Sequence, residues 1–176
     1  MKVRRVVTGH TADGKSTVVS DSDVDAITID LLPGAEFCPV WAADEVPTFP
    51  DEGSLRSVQT YFPPVGGFRF GLMTVPPDSV AMPKDLDFQL ALAELEEKLP
   101  GLAAYMEPDN PGMHTTNTID FGYVLSGEVW LELDDGKEVH LRAGDTFVQN
   151  GTRHAWHNRH AEPCRVLGCM VGAHRR

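Results

Sequence analysis

Residues 114–158 read HTTNTIDFGYVLSGEVWLELDDGKEVHLRAGDTFVQNGTRHAWHN. Short runs of β-branched and aromatic residues fill this stretch: Phe121 to Leu125, Val129 to Leu133, Lys137 to Arg142, Thr146 to Gln149 and His154 to Asn158. Each has the length and composition of a strand. Turn residues separate them. Asp135-Gly136 is a strong two-residue hairpin signal, and Ser126-Gly127 and Ala143-Gly144-Asp145 mark further reversals. Cys164 to Val171 adds one more strand beyond the stretch. Many short strands at even spacing predict an all-β closed barrel or jelly roll.

Working outward, Val3 to Thr8, Thr17 to Ser20 and Ala26 to Asp30 also read as strands. Residues 31–67 are rich in Pro and Gly and carry the apolar anchors Phe37, Trp41, Phe49, Tyr61 and Phe62. They read as an ordered arm laid over a core. Phe68 to Val75 is a strand stopped by Pro76-Pro77. One helix is expected from about Leu86 to Leu99, with Phe88, Leu92, Leu95 and Leu99 on one apolar stripe. Glu94 and Lys98 pair at i,i+4, and Pro100-Gly101 ends the helix. The chain divides as a single domain over 1–176: strands and arm at 1–67, a helical insert at 86–106, and a barrel core at 107–172.

The 176 residues and 41% hydrophobic content suit one globular domain with its own core. Asp and Glu outnumber Lys and Arg, 26 to 15, for a formal charge of -11. Nucleic acid and anionic membranes select basic surfaces, so neither is an expected partner. Cys38, Cys164 and Cys169 are odd in number and form no CxxC pair, so they read as small buried hydrophobes. No apolar run reaches the length of a membrane span, and the N-terminus lacks the apolar stretch of a signal peptide. A cytoplasmic location is the expectation.

One motif is a decoy. Gly9 to Ser16 fits the phosphate-loop pattern G-x-x-x-x-G-K-[ST] letter for letter. Phosphate binding there needs a helix to start at Lys15-Ser16, so that its free N–H groups face the ligand. The β-branched Thr17-Val18-Val19 follows instead. The segment reads as a hairpin turned at Asp13-Gly14.

The chemistry-bearing residues lie within 114–158, which holds four of the seven histidines. The stretch resembles the two motifs of the cupin superfamily. The first motif reads H-x-H-x(3,4)-E-x(6)-G; His114, Asp120 and Gly127 match its first histidine, its acid and its glycine, and Thr116 stands at the second histidine. The second motif ends P-x-G-x(2)-H-x(3)-N; Gly151, His154 and Asn158 match, and Gln149 replaces the proline. The resemblance implies a double-stranded β-helix with His114, Asp120 and His154 gathered on a divalent metal. Two imidazoles and one carboxylate suit Fe(II), with Mn, Ni or Zn as alternatives. His114 and Asp120 can meet only if the chain reverses near Thr116-Asn117-Thr118. His154 and Trp156 share one strand face, and His157 points the other way. Thr116, Trp156, Gln149, Phe121, Tyr123 and Trp41 are candidates for the substrate pocket.

The expected function is a metal-dependent enzyme acting on a small aromatic or carbonyl molecule, in the manner of a dioxygenase. The alternatives are a non-catalytic small-molecule-binding cupin and a non-oxidative lyase or isomerase at the same site. Cupins commonly pair, so a homodimer is expected.

Overall fold

The computed structural model describes residues 1–176. Strands β1 (Lys2–His10) and β2 (Ser16–Asp25) form an antiparallel hairpin. Its turn is closed by Lys15 N–H donating to Thr11 Oγ1 at 3.0 Å, with Gly14 at φ 80°. No helix follows Ser16, so the phosphate-loop pattern is a hairpin turn.

The main sheet has five strands in the order β3-β4-β10-β5-β8. These are β3 (Glu36–Ala43), β4 (Phe68–Val75), β5 (Thr118–Ser126), β8 (Thr146–Gln149) and β10 (Cys164–Gly172). A second sheet, β7-β6-β9, is built from β6 (Glu128–Glu132), β7 (Glu138–Arg142) and β9 (Ala155–His157). Asp135 and Gly136 both take positive φ, 59° and 67°, at the turn from β6 to β7. That is the left-handed geometry an Asp-Gly hairpin supplies. Val75, Val124, Val129, Leu131, Leu141, Cys164 and Val166 form one buried cluster drawn from both sheets. The core therefore lies between them, where inward residues alternate with outward ones.

Three expectations need correction. Residues 36–43 are a strand of the main sheet and not part of an arm, so the barrel draws on β3 and β4 as well as on 107–172. Pro39 lacks an amide donor, but β3 lies at the sheet edge and its register shifts between Pro39 and Trp41, which accommodates it. Ala26 to Asp30 is not a strand: only Ile27 makes a bridge, to Phe37, before Ile29 turns into the core. Helix α1 spans Phe88–Lys98, because the Asp87 side chain caps the amides of Gln89 and Leu90. Its buried residues are Ala91 and Leu95, followed by Leu99, while Phe88 is 60% exposed. This face packs on Phe37 and Phe62 in a second cluster beside the main sheet.

Candidate functional site

A cavity of about 630 Å³ opens beside the two clusters, and 26 of its 42 lining residues are hydrophobic. His114 and His154 both line it. Their backbones form an isolated antiparallel bridge with reciprocal N–H···O bonds of 2.9 Å each. Directly opposed residues of such a pair project to one face. The two rings accordingly lie 4.1 Å apart between centroids, tilted by 51°. Trp156 meets the His154 ring edge-on at 5.8 Å, and Phe147 packs against Trp156 at 4.9 Å.

Local hydrogen bonds fix how each histidine is protonated. His114 Nδ1 lies 3.0 Å from the Gly112 carbonyl, and His154 Nδ1 lies 2.9 Å from the Thr152 carbonyl. A carbonyl only accepts, so both Nδ1 atoms carry the proton and donate. Each neutral ring then presents its Nε2 lone pair. Burial keeps the rings uncharged: it pushes His154 down to about 4, helped by the neighbouring His114, and it lowers His114 as well. The bond to the Gly112 carbonyl and, after it, the Glu107 charge oppose the shift at His114.

Asp120 enters the same cavity from β5, opposite Gln149 on β8 and Met170 on β10. Burial raises its carboxyl to about 6, against the opposing effect of the Thr118 hydroxyl. Its Oδ1 is buried and makes no hydrogen bond. The Asp120 charge, after burial, also pushes up the Tyr61 phenol and the Cys169 thiol.

His114, Asp120 and His154 are not gathered as a metal centre. No group of three or more His, Cys, Asp or Glu side chains is arranged to hold a metal ion. His114 is brought to His154 by the bridge between their own backbones, whereas Asp120 is carried by β5 between β8 and β10. The donor set is thus two nitrogens without a third ligand, which does not fit the Fe(II) expectation or its Mn, Ni and Zn alternatives.

The other candidates divide. Trp156, Phe121 and Trp41 line the cavity, although Phe121 is 46% exposed. Thr116 is fully buried, shares a 2.8 Å hydrogen bond with Thr118 and does not line the cavity. Gln149 directs its amide to the carbonyl and hydroxyl of Thr152 and holds its own loop. Tyr123 is 42% exposed and faces outward. His157 lies away from the cavity and pairs with Glu132 at 2.6 Å, as its strand phase predicts. Tyr61 was missed as a site residue: it sits in a Pro-rich stretch where no periodicity marks a facing side, and only the fold sets it against the cavity.

Residues 105–170 match the family model described as "Cupin domain". The chain therefore contains a region similar to a cupin domain. Over 73 residues, 34% of this chain, it is 53% identical to "Phomopsin biosynthesis cluster protein D" of Diaporthe leptostromiformis. Over 86 residues, 43% of this chain, it is 34% identical to the "Cupin-domain-containing oxidoreductase srdD" of Neurospora crassa. The chain spans about two fifths of the length of these relatives, 39% and 44% respectively. The cupin domain of Schizosaccharomyces pombe Cnp3 overlays with a TM-score of 0.49 at 10% identity, over 96% of this chain and 87% of that one. No helix is long and apolar enough to cross a membrane.

Proposed function

We propose that this protein is an oxidoreductase-like cupin enzyme that draws a small, largely apolar organic molecule into its cavity and removes a proton from it. The observation that carries the reading is the His114–His154 pair, two neutral imidazoles whose Nε2 lone pairs are left over once both Nδ1–H groups are bound to carbonyls. The relatives named as oxidoreductases and as a biosynthesis cluster protein support the choice of a small-molecule enzyme.

His114 receives the proton at Nε2, and its Nδ1–H bond to Gly112 steadies the ring while it does so. His154 accepts a hydrogen bond from the substrate and orients it. Trp156 and Phe147 form an apolar wall that shapes the pocket and excludes water. Loss of a proton from an aromatic hydroxyl, or from a C–H beside a carbonyl, leaves an electron-rich molecule. In that form it gives two electrons to dioxygen, the oxidant of this reading; dioxygen takes up the proton held on His114 and a second proton from the substrate and leaves as hydrogen peroxide, and the substrate leaves oxidised by two electrons. No step of this reading passes through a metal.

The test is a panel of aromatic and carbonyl compounds, scored by oxygen uptake and product mass. His114→Gln is expected to lower turnover of any hit by roughly a hundredfold to ten-thousandfold. Product without oxygen uptake would turn the reading to a lyase or isomerase. Undiminished turnover in His114→Gln would remove the histidine from the chemistry.

A further inference from the structure

The polar side chains of the cavity are mostly occupied. Arg69 has five donors and uses them all: on the carbonyls of Thr60, Ala43 and Phe68 and on Asp44. Lys98 is held by Glu94 and by the Thr28 carbonyl. Thr60 donates to the Phe62 carbonyl and Thr74 to Glu36, and Asp78 accepts from the Asn158 amide. After these, the uncommitted acceptors are Asp120 Oδ1 and the Nε2 atoms of His114 and His154, and the uncommitted donors of the lining are the Tyr61 hydroxyl, the Trp41 and Trp156 indole N–H groups and one N–H of Lys98.

A buried acceptor without a donor carries its full desolvation cost. Asp120 Oδ1 is one of two such side-chain atoms in the protein, and the other, Arg5 Nε, lies outside the cavity lining. The missing donor must therefore come from what fills the cavity. An anionic group finds Arg69 saturated and Lys98 already paired with Glu94, and it would meet the Asp120 carboxylate.

We infer that the ligand is an uncharged ring compound with at least two hydrogen-bond donors, hydroxyl or N–H, one anchored on Asp120 Oδ1 and another on the His114–His154 pair, and that carboxylates are rejected. This rests on the proposed enzyme reading and names its substrate class. The residue that the cupin motif would make a metal ligand is here the anchor for a substrate donor. Tyr61 and Cys169 line the same cavity.

The experiment is calorimetric titration of the full chain with three probes of similar size: catechol with two donors, veratrole with none, and salicylate with a carboxylate. Wild type is expected to bind catechol about tenfold to a hundredfold tighter than veratrole, the range for a hydrogen bond to a charged acceptor. Salicylate should bind no better than veratrole. Asp120→Asn and Asp120→Ala should bring the catechol preference to within about threefold of unity while veratrole affinity holds, which shows that the cavity is intact. Equal binding of catechol and veratrole by wild type, tightest binding of salicylate, or a catechol preference that survives both variants would overturn the inference. In those cases turnover still sensitive to His114→Gln leaves the enzyme reading standing. Failure of all three probes to bind would overturn the inference and count against the cavity as a substrate site.

Discussion

His114 and His154 stand forty positions apart in the chain, yet each donates its backbone N–H to the carbonyl of the other at 2.9 Å. That one bridge puts two imidazoles side by side in an apolar cavity, and each retains its Nε2 lone pair. The chemistry proposed for the protein begins from this pairing.

The depressed histidines tie stability to acidity. A histidine lowered in the fold contributes stability that is full above its unfolded value of 6.5 and is lost as pH falls through its folded value. For His154 the drop to about 4 is worth on the order of 3 kcal/mol. Wild type should therefore lose melting temperature between pH 7 and pH 4 more steeply than His154→Gln. Parallel curves for the two proteins would mean that His154 is not buried as a neutral ring.

Asp120 acts in the opposite sense over nearly the same window. A carboxyl raised to about 6 is favoured in the fold below its unfolded value of 3.8, and this advantage disappears as pH rises through 6. Asp120→Asn should melt higher than wild type at pH 8, by an amount corresponding to at most about 3 kcal/mol, and should converge with it near pH 4. A variant that is less stable at pH 8 would show that the carboxylate has a partner in the folded protein.

Much of the fold was legible because buried and more exposed residues alternate along strands such as Phe121 to Leu125 and Glu128 to Glu132. The face assignments of His154, Trp156 and His157 followed from that period of two. Strand β3 was hidden by Pro39 and by the Pro- and Gly-rich segments around it, which outweighed its apolar content locally. Whether three ligands meet is not legible in the motif, because it gives spacing along the chain, whereas the meeting of side chains depends on strand register. Asp120 registers with Gln149 and Met170, and His114 with His154. Gln149 and Thr116 were legible as polar residues near the site, but their hydrogen bonds run to neighbours within their own loops.

Gly122 tests the packing behind the site. A Cβ there would lie 2.0 Å from Cζ of Phe147, the ring that backs Trp156. Gly122→Ala should displace Phe147 and cost about 1–3 kcal/mol by overpacking. Thermal unfolding together with tryptophan fluorescence would show both effects. An unperturbed melt would mean that Phe147 moves aside freely.

The decoy loop gives a clean negative expectation. Lys15 is exposed and pairs with Asp13 at 2.6 Å across the hairpin turn. Lys15→Ala should change stability by no more than about 0.5 kcal/mol, and magnesium-ATP should not raise the melting temperature. A nucleotide-dependent rise abolished by Lys15→Ala would contradict the hairpin assignment of function-free turn residues.

The most direct test of the central claim is nitrogen NMR of histidine-labelled protein, with the two signals assigned through His114→Gln and His154→Gln. The account expects both rings to be neutral at pH 7, with the proton on Nδ1 and a bare Nε2, and both Nε2 resonances to shift when catechol is added. A ring that is charged at pH 7, or that carries its proton on Nε2, would contradict the account, because the cavity would then offer no base to its substrate.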